Sequence, residues 1–246
     1  MSDAGSRKSD RDLQDVVITY LADATLRRAP VSPLPLFPEQ AQRAGKFARF
    51  LARRYYRDRL ARSFRYSRRF AAAAETLVET PAFDVFLDDC VLGSAAAAER
   101  VGDMAVDYLK SCQSPRPWWS DLLQYEGLFF LQAATTESVS PAKFPQPAAS
   151  ARCRKFSWNL PDLLPELKTG RPISGSLRQE VVLLFSRTPQ GRIYVVEVDD
   201  ATAAVFRASD SRLSASQIAE AISLSPEFVQ HTLAALVQIG ALVTSS

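Results

Sequence analysis

The sequence predicts an α+β protein in two parts: a helical N-terminal domain over residues 1–150 and a small strand-and-helix domain over 179–246, joined by a linker over 151–178. Three observations carry that prediction. Apolar residues recur at helical spacing through most of the first 134 positions, prolines and serines crowd 137–178, and beyond them the apolar pattern becomes that of strands before helical spacing returns. At 246 residues and 47% hydrophobic, the chain has enough apolar material for two small cores.

Residues 10–28 place Leu13, Val16, Val17, Tyr20, Leu21 and Ala24 at helical spacing, between an acidic start (Asp10, Asp12) and a basic end (Arg27, Arg28) that suit the helix dipole. Pro30, Pro33, Pro35 and Pro38 then predict an extended, proline-stiffened connection, because each fixes its own φ and removes a donor. From Pro38 the helical pattern runs to about Glu79, with Phe47, Phe50, Leu51, Tyr55, Leu60 and Phe64 as its apolar positions. A run of that length predicts a break near 67–71. Helices over 82–92 and 95–111 follow, the second capped by Ser94 after Gly93. After a turn at Pro115 and Pro117, the apolar run from Trp118 to Phe130 predicts the helix at the heart of the bundle, with one of Trp118 and Trp119 in the core and the other on the surface.

The prolines of 137–178 predict a long surface connection, with one short strand at 155–160. Beyond it, 180–186 and 192–199 are rich in Val, Leu, Ile, Phe and Tyr, and TPQG between them supplies turn chemistry, which predicts a hairpin. Three helices follow at Ala201–Ala208, Ser214–Ile222 and Ser225–Ile239, with Ser214 and Ser225 as caps and Gly240 as the stop. A hairpin followed by three helices is the order of a winged-helix-like module.

Composition narrows the chemistry. With His231 as the only histidine, and Cys90, Cys112 and Cys153 far apart, the sequence offers no familiar metal-ligand spacing and no disulfide framework. Neither a phosphate-cradling glycine motif nor a nucleophile beside a base is present, so no catalytic residue, no metal ligand and no cofactor of its own are expected. No apolar run is long enough to span a bilayer and residues 1–11 are polar, which predicts a cytoplasmic protein without a membrane partner. Asp199 and Asp200 read as helix caps.

The most unusual stretch is 43–69, with eleven basic residues against the single acid Asp58, interleaved with Phe47, Tyr55, Tyr56, Phe64 and Tyr66. Three readings compete for it. It could pair with the acid-rich 75–107 segment, meet a protein partner through Arg53, Tyr55, Tyr56, Arg57, Arg62 and Trp119, or form a nucleic-acid surface on Arg53, Arg57 and Lys46, as in a transcriptional regulator. The last helix argues against DNA, because it carries no Lys or Arg with which to meet a phosphate backbone. A module of that shape suits peptide contact by strand addition, for which Val181, Val182, Leu183, Leu184 and Phe185 with Phe228 and Leu233 are the candidate residues; a structural docking role is the alternative.

At the level of pattern the two halves together resemble a known family, the accessory subunits that accompany multinuclear non-haem iron-dependent oxidative enzymes in peptide natural-product and copper-handling pathways. The carrying segments are RRYYRDRLARSFRYSRRF, WWSDLLQYEGLFF after a proline turn, and VVLLFSRTPQGRIYVVEVDDATAAVFRA followed by LSASQIAEAI and LVQIGALV. The C-terminal segment is similar to the PqqD-like elements that recognise the leader of a ribosomally made precursor peptide. The resemblance implies a heterodimer in which the partner enzyme holds the iron and performs the oxidation, while this chain binds and presents the peptide; nucleic acid is then not an expected partner. The long arginine-rich helix departs from the pattern and is assigned to the enzyme interface.

Overall fold

In the computed structural model, which describes residues 15–29, 38–112, 116–136 and 143–244, the N-terminal periodicity resolves into a series of helices, most of which share one core. Residues 15–22 are helical (α1), and Asp23 breaks the run by capping α2 (Ala24–Arg28), its carboxylate accepting the Thr25 N–H at 2.7 Å. The starts at 10–14, the proline connection at 30–37 and part of 137–178 (137–142) lie outside the described residues. α3 spans Pro38–Ser63, and the expected break arrives as two 3-10 turns, Ser67–Arg69 and Ala74–Glu79. α4 (Pro81–Leu87) starts on the Thr80 cap, α5 (Ala95–Ser111) on the Ser94 cap, and α6 (Trp119–Ala134) is the apolar helix at the bundle centre. The buried edge of α3 is Ala48, Ala52, Tyr56 and Leu60, one residue every four. Phe47 and Phe50, expected among its apolar positions, point to solvent instead. Trp118 and Trp119 are both buried, so neither is a surface anchor.

Residues 151–178 are not a bare linker. They hold β2 (Arg152–Phe156) and α7 (Leu160–Thr169), whose Leu160, Leu163, Leu164 and Leu167 are buried. Pro161 sits in the first helical turn, where a missing N–H costs nothing, and the i, i+3, i+4, i+7 leucine face outweighs Pro165 inside the helix. β3 (Val181–Arg187) and β4 (Ile193–Glu197) form the expected hairpin, and β2 pairs antiparallel with β3 to give the order β2-β3-β4.

The apolar run of β3 is explained by burial on both faces. Val181, Leu183 and Phe185 join Phe156 and the bundle in one continuous core, while Leu184 faces a second core built from α8 (Asp200–Ala208), α9 (Ala215–Ala221) and α10 (Pro226–Gln238). The sheet is therefore the shared wall of two helical layers, and the larger core runs across the 151–178 stretch. Caps fall where the sequence places them: Asp199 for α8, Ser214 with a full capping box for α9, and Ser225 for α10. Gly240 ends α10 at φ +72°, and a Cβ there would strike the Arg187 carbonyl of β3, so both conformation and contact require glycine. The chain then closes with β5 (Leu242–Val243), paired to β1 (Gln146–Pro147).

Candidate functional site

The candidate docking strand is corrected by the sheet order. β3 is the central strand, hydrogen-bonded on both sides, so it has no free edge. Val181, Leu183, Leu184 and Phe185 are buried and Val182 half-buried; Leu233 is buried in the second core, and Phe228 alone of the seven is exposed. An uninterrupted apolar run signals burial on both faces, and such a strand lies inside a sheet.

The free edge of the hairpin belongs to β4. Val198 N–H donates to Val182 O and Thr188 N–H to Arg192 O, both at 2.9 Å. Alternation along an antiparallel ladder then turns the backbone groups of Tyr194 and Val196 toward β3 and those of Ile193, Val195 and Glu197 away from it. Among the described residues these outward N–H and C=O groups meet no backbone partner. Tyr194 and Val196, opposite Ser186 and Leu184, share the sheet face that packs on α8–α10; Val195 packs on the bundle side. Ile193 to Val196 are half-buried, leaving a strand-length edge with adherent side chains on both faces. On α10 the exposed large apolar residues are Phe228 and Val237. His231 is exposed, and no potential metal-holding group of three His, Cys, Asp or Glu side chains occurs among the described residues.

The arginine-rich helix is largely answered within the chain. Arg49, Arg53 and Arg57, four residues apart on α3, pair with Asp88, Asp84 and Glu79 on the antiparallel segment, and Arg28 and Arg68 pair with Asp89 and Glu75. Arg69 donates to the Leu167 carbonyl at 2.5 Å, and Arg59 lies 3.4 Å from the Tyr55 ring centre while donating to Ala133 O. Tyr55 donates to Ala134 O at 2.6 Å. Of the expected interface residues, Tyr56 and Trp119 are buried, Tyr56 between Phe83, Phe86 and Phe130, so neither can touch a partner; Arg53 and Arg57 are already paired, and Arg62 is exposed.

Two features escaped the sequence reading. Glu126 is a fully buried carboxylate in α6; it accepts the Tyr66 N–H at 2.6 Å and the Ser67 N–H at 3.2 Å, holding the bend after α3. Burial pushes its pKa up to about 7 against those hydrogen bonds and the nearby Arg65. Its visible signal was a carboxylate in the middle of the apolar run WWSDLLQYEGLFF, beyond the first-turn Asp121. The second is a cleft of about 380 Å3 between α5, α6 and β2, where Glu99, Asp103 and Asp107 face Arg152 and Arg154. Arg152 binds Glu99 through two hydrogen bonds of 3.1 and 2.8 Å, and burial with the flanking carboxylates raises the Asp103 pKa.

No protein-family model matches the chain, and no curated protein is detectably similar to it in sequence. Among the described residues no helix is long and apolar enough to cross a membrane.

Proposed function

We propose that this chain is a non-catalytic partner protein that binds the leader of a ribosomally made precursor peptide and presents it, as one half of a heterodimer, to an iron-dependent oxidative enzyme in the cytoplasm. The observation that carries the reading is the outer edge of β4, whose Ile193, Val195 and Glu197 offer alternate unpaired backbone groups beside half-buried apolar side chains. An extended peptide gains affinity there from main-chain hydrogen bonds and selectivity from alternate side chains. The iron belongs to the enzyme subunit. The three cysteines, none bridged, suit a reducing compartment. A nucleic-acid-binding regulator is the weaker alternative, because Arg49, Arg53, Arg57 and Arg68 are engaged with carboxylates and α10 lacks cations.

Val195→Pro tests the edge. Its N–H points away from β3, so proline there removes an outward donor without breaking the β3–β4 ladder, whereas Val196→Pro removes a ladder bond. Fluorescence anisotropy with a labelled synthetic leader, taken from the precursor encoded beside this gene, reads the outcome. The expected result is that Val195→Pro loses about tenfold or more in affinity while keeping the wild-type circular dichroism spectrum. Unchanged affinity moves the peptide off β4, and no binding by the wild type overturns the reading itself.

A further inference from the structure

α3 carries two charged stripes with different fates. The stripe facing residues 79–88 is neutralised, Arg49, Arg53 and Arg57 by Asp88, Asp84 and Glu79. Around the helix from it, Arg43, Lys46, Phe47, Phe50 and Arg54 fall at the spacing that lines one face. There Phe47 is 52% exposed and Phe50 57%; Val85, next to Asp84 on α4, is 63% exposed. Arg43, Lys46 and Arg54 have no ion-pair partner among the described residues. Lys46 also lines a cleft of about 460 Å3 between α1, α2 and α3, together with Arg27, which is held by the Tyr20 and Leu21 carbonyls and, among the described residues, by no carboxylate bond. Among the described residues nothing buries this apolar surface.

We infer that the outer face of α3, with Phe47 and Phe50 as anchors and Arg43, Lys46 and Arg54 around them, docks a partner protein through an acidic, apolar surface. The inference rests on the heterodimer reading above, in which that partner is the oxidative enzyme subunit. Charge complementarity selects the occupant: exposed aromatic side chains suit the apolar centre of an interface and the cations around them its polar rim, so the matching surface must supply carboxylates around an apolar patch. A phosphate chain or an anionic bilayer fits less well. Glu79, Asp84, Asp88 and Asp89 flank the strip with side chains about half exposed or more, and an extended anionic surface that reached the cations would also meet those acids. A folded partner can place its few carboxylates over the cations alone.

The test uses the full chain, tagged and co-expressed with the products of its neighbouring genes, with recovery of the iron-containing partner measured by metal analysis and mass spectrometry. The double variant Phe47→Glu, Phe50→Glu is expected to lower partner recovery by about tenfold or more while leaving the circular dichroism spectrum and leader-peptide affinity at wild-type values. Arg54→Glu, which leaves both anchors in place, is expected to weaken the complex by a smaller factor and to flatten its salt dependence. Equal recovery by wild type and both variants overturns the docking face and leaves the heterodimer standing. Absence of an iron-bearing partner from the wild-type preparation overturns the heterodimer reading and the inference with it. Binding to a single-stranded oligonucleotide or to phosphatidylserine vesicles that disappears in the double variant assigns the face to that ligand instead and also overturns the inference.

Discussion

Glu126 and the carboxylates of residues 79–88 are both partnered in this molecule, yet they do opposite things. Asp84, Asp88 and Glu79 sit with side chains about half in water and each meets one arginine of α3, so little solvation is lost and little energy is gained. Glu126 is wholly enclosed, forms no ion pair among the described residues, and is held by the backbone N–H groups of Tyr66 and Ser67. The surface acids set which face of α3 remains cationic. The buried one fixes the path of the chain between α3 and the 3-10 turns and makes folding sensitive to pH. Position in the solvent gradient, more than the number of partners, decides whether a carboxylate tunes recognition or stability.

Removing the buried group is the strongest way to test that contrast. Glu126→Ala strands the buried Ser67 N–H and the partly buried Tyr66 N–H and leaves a void in α6, and is expected to lower stability by about 3 kcal/mol near about pH 5. Urea denaturation checks it, and a loss below about 0.5 kcal/mol would show that water satisfies both donors.

The pH dependence follows with its sign fixed. The Glu126 carboxyl, near 4.5 when free in water, is pushed up to about 7 by burial in the folded state, so between those values the folded state holds a proton that the unfolded state has released. Raising the pH through that window therefore favours unfolding, by on the order of 3 kcal/mol in all, and stability from this group is fully present only below the window. Glu126→Gln keeps an oxygen for Tyr66 N–H and cannot titrate, so its stability curve is expected to lack that descent. An identical slope in wild type and Glu126→Gln would assign the proton to another group, such as Asp103, whose pKa is also raised.

Much of the fold was legible because local signals agreed with tertiary ones. Ser94, Ser214, Ser225 and Gly240 mark helix ends by chemistry confined to a few residues, and the hairpin was announced by TPQG between two apolar runs. What failed depended on neighbours distant in sequence. The run 181–185 could not reveal that β2 would cover its other side, so an interior strand was read as a docking edge. In α7, Pro161 and Pro165 masked a leucine face that the core rewards. Periodicity gave α3 its helix but not its buried stripe: Phe47 and Phe50 are as apolar as Tyr56 and Leu60, and only packing against α6 and the 3-10 turns chooses between them. Of the candidate site, the module and the charge pairing with 75–107 were readable, whereas the free β4 edge required the ladder register.

The smallest expected effect lies in the surface ladder, and its smallness is the point. In a double-mutant cycle, Arg53→Ala and Asp84→Ala should give a coupling energy of about 0.5 kcal/mol, because both side chains keep a third or more of their surface in water. Arg57 and Glu79, more exposed, should couple less, and both values should shrink as salt is raised, whereas the Glu126→Ala loss should hardly move. The Arg53→Ala single variant should cost more than the coupling alone, since about two thirds of the arginine side chain is covered and its methylene stem is lost with the charge. Coupling above about 2 kcal/mol would mean that the ladder is a structural clamp. The cationic outer face of α3 would then be a by-product of folding, and the separation between recognition at the surface and stability at the centre would fail.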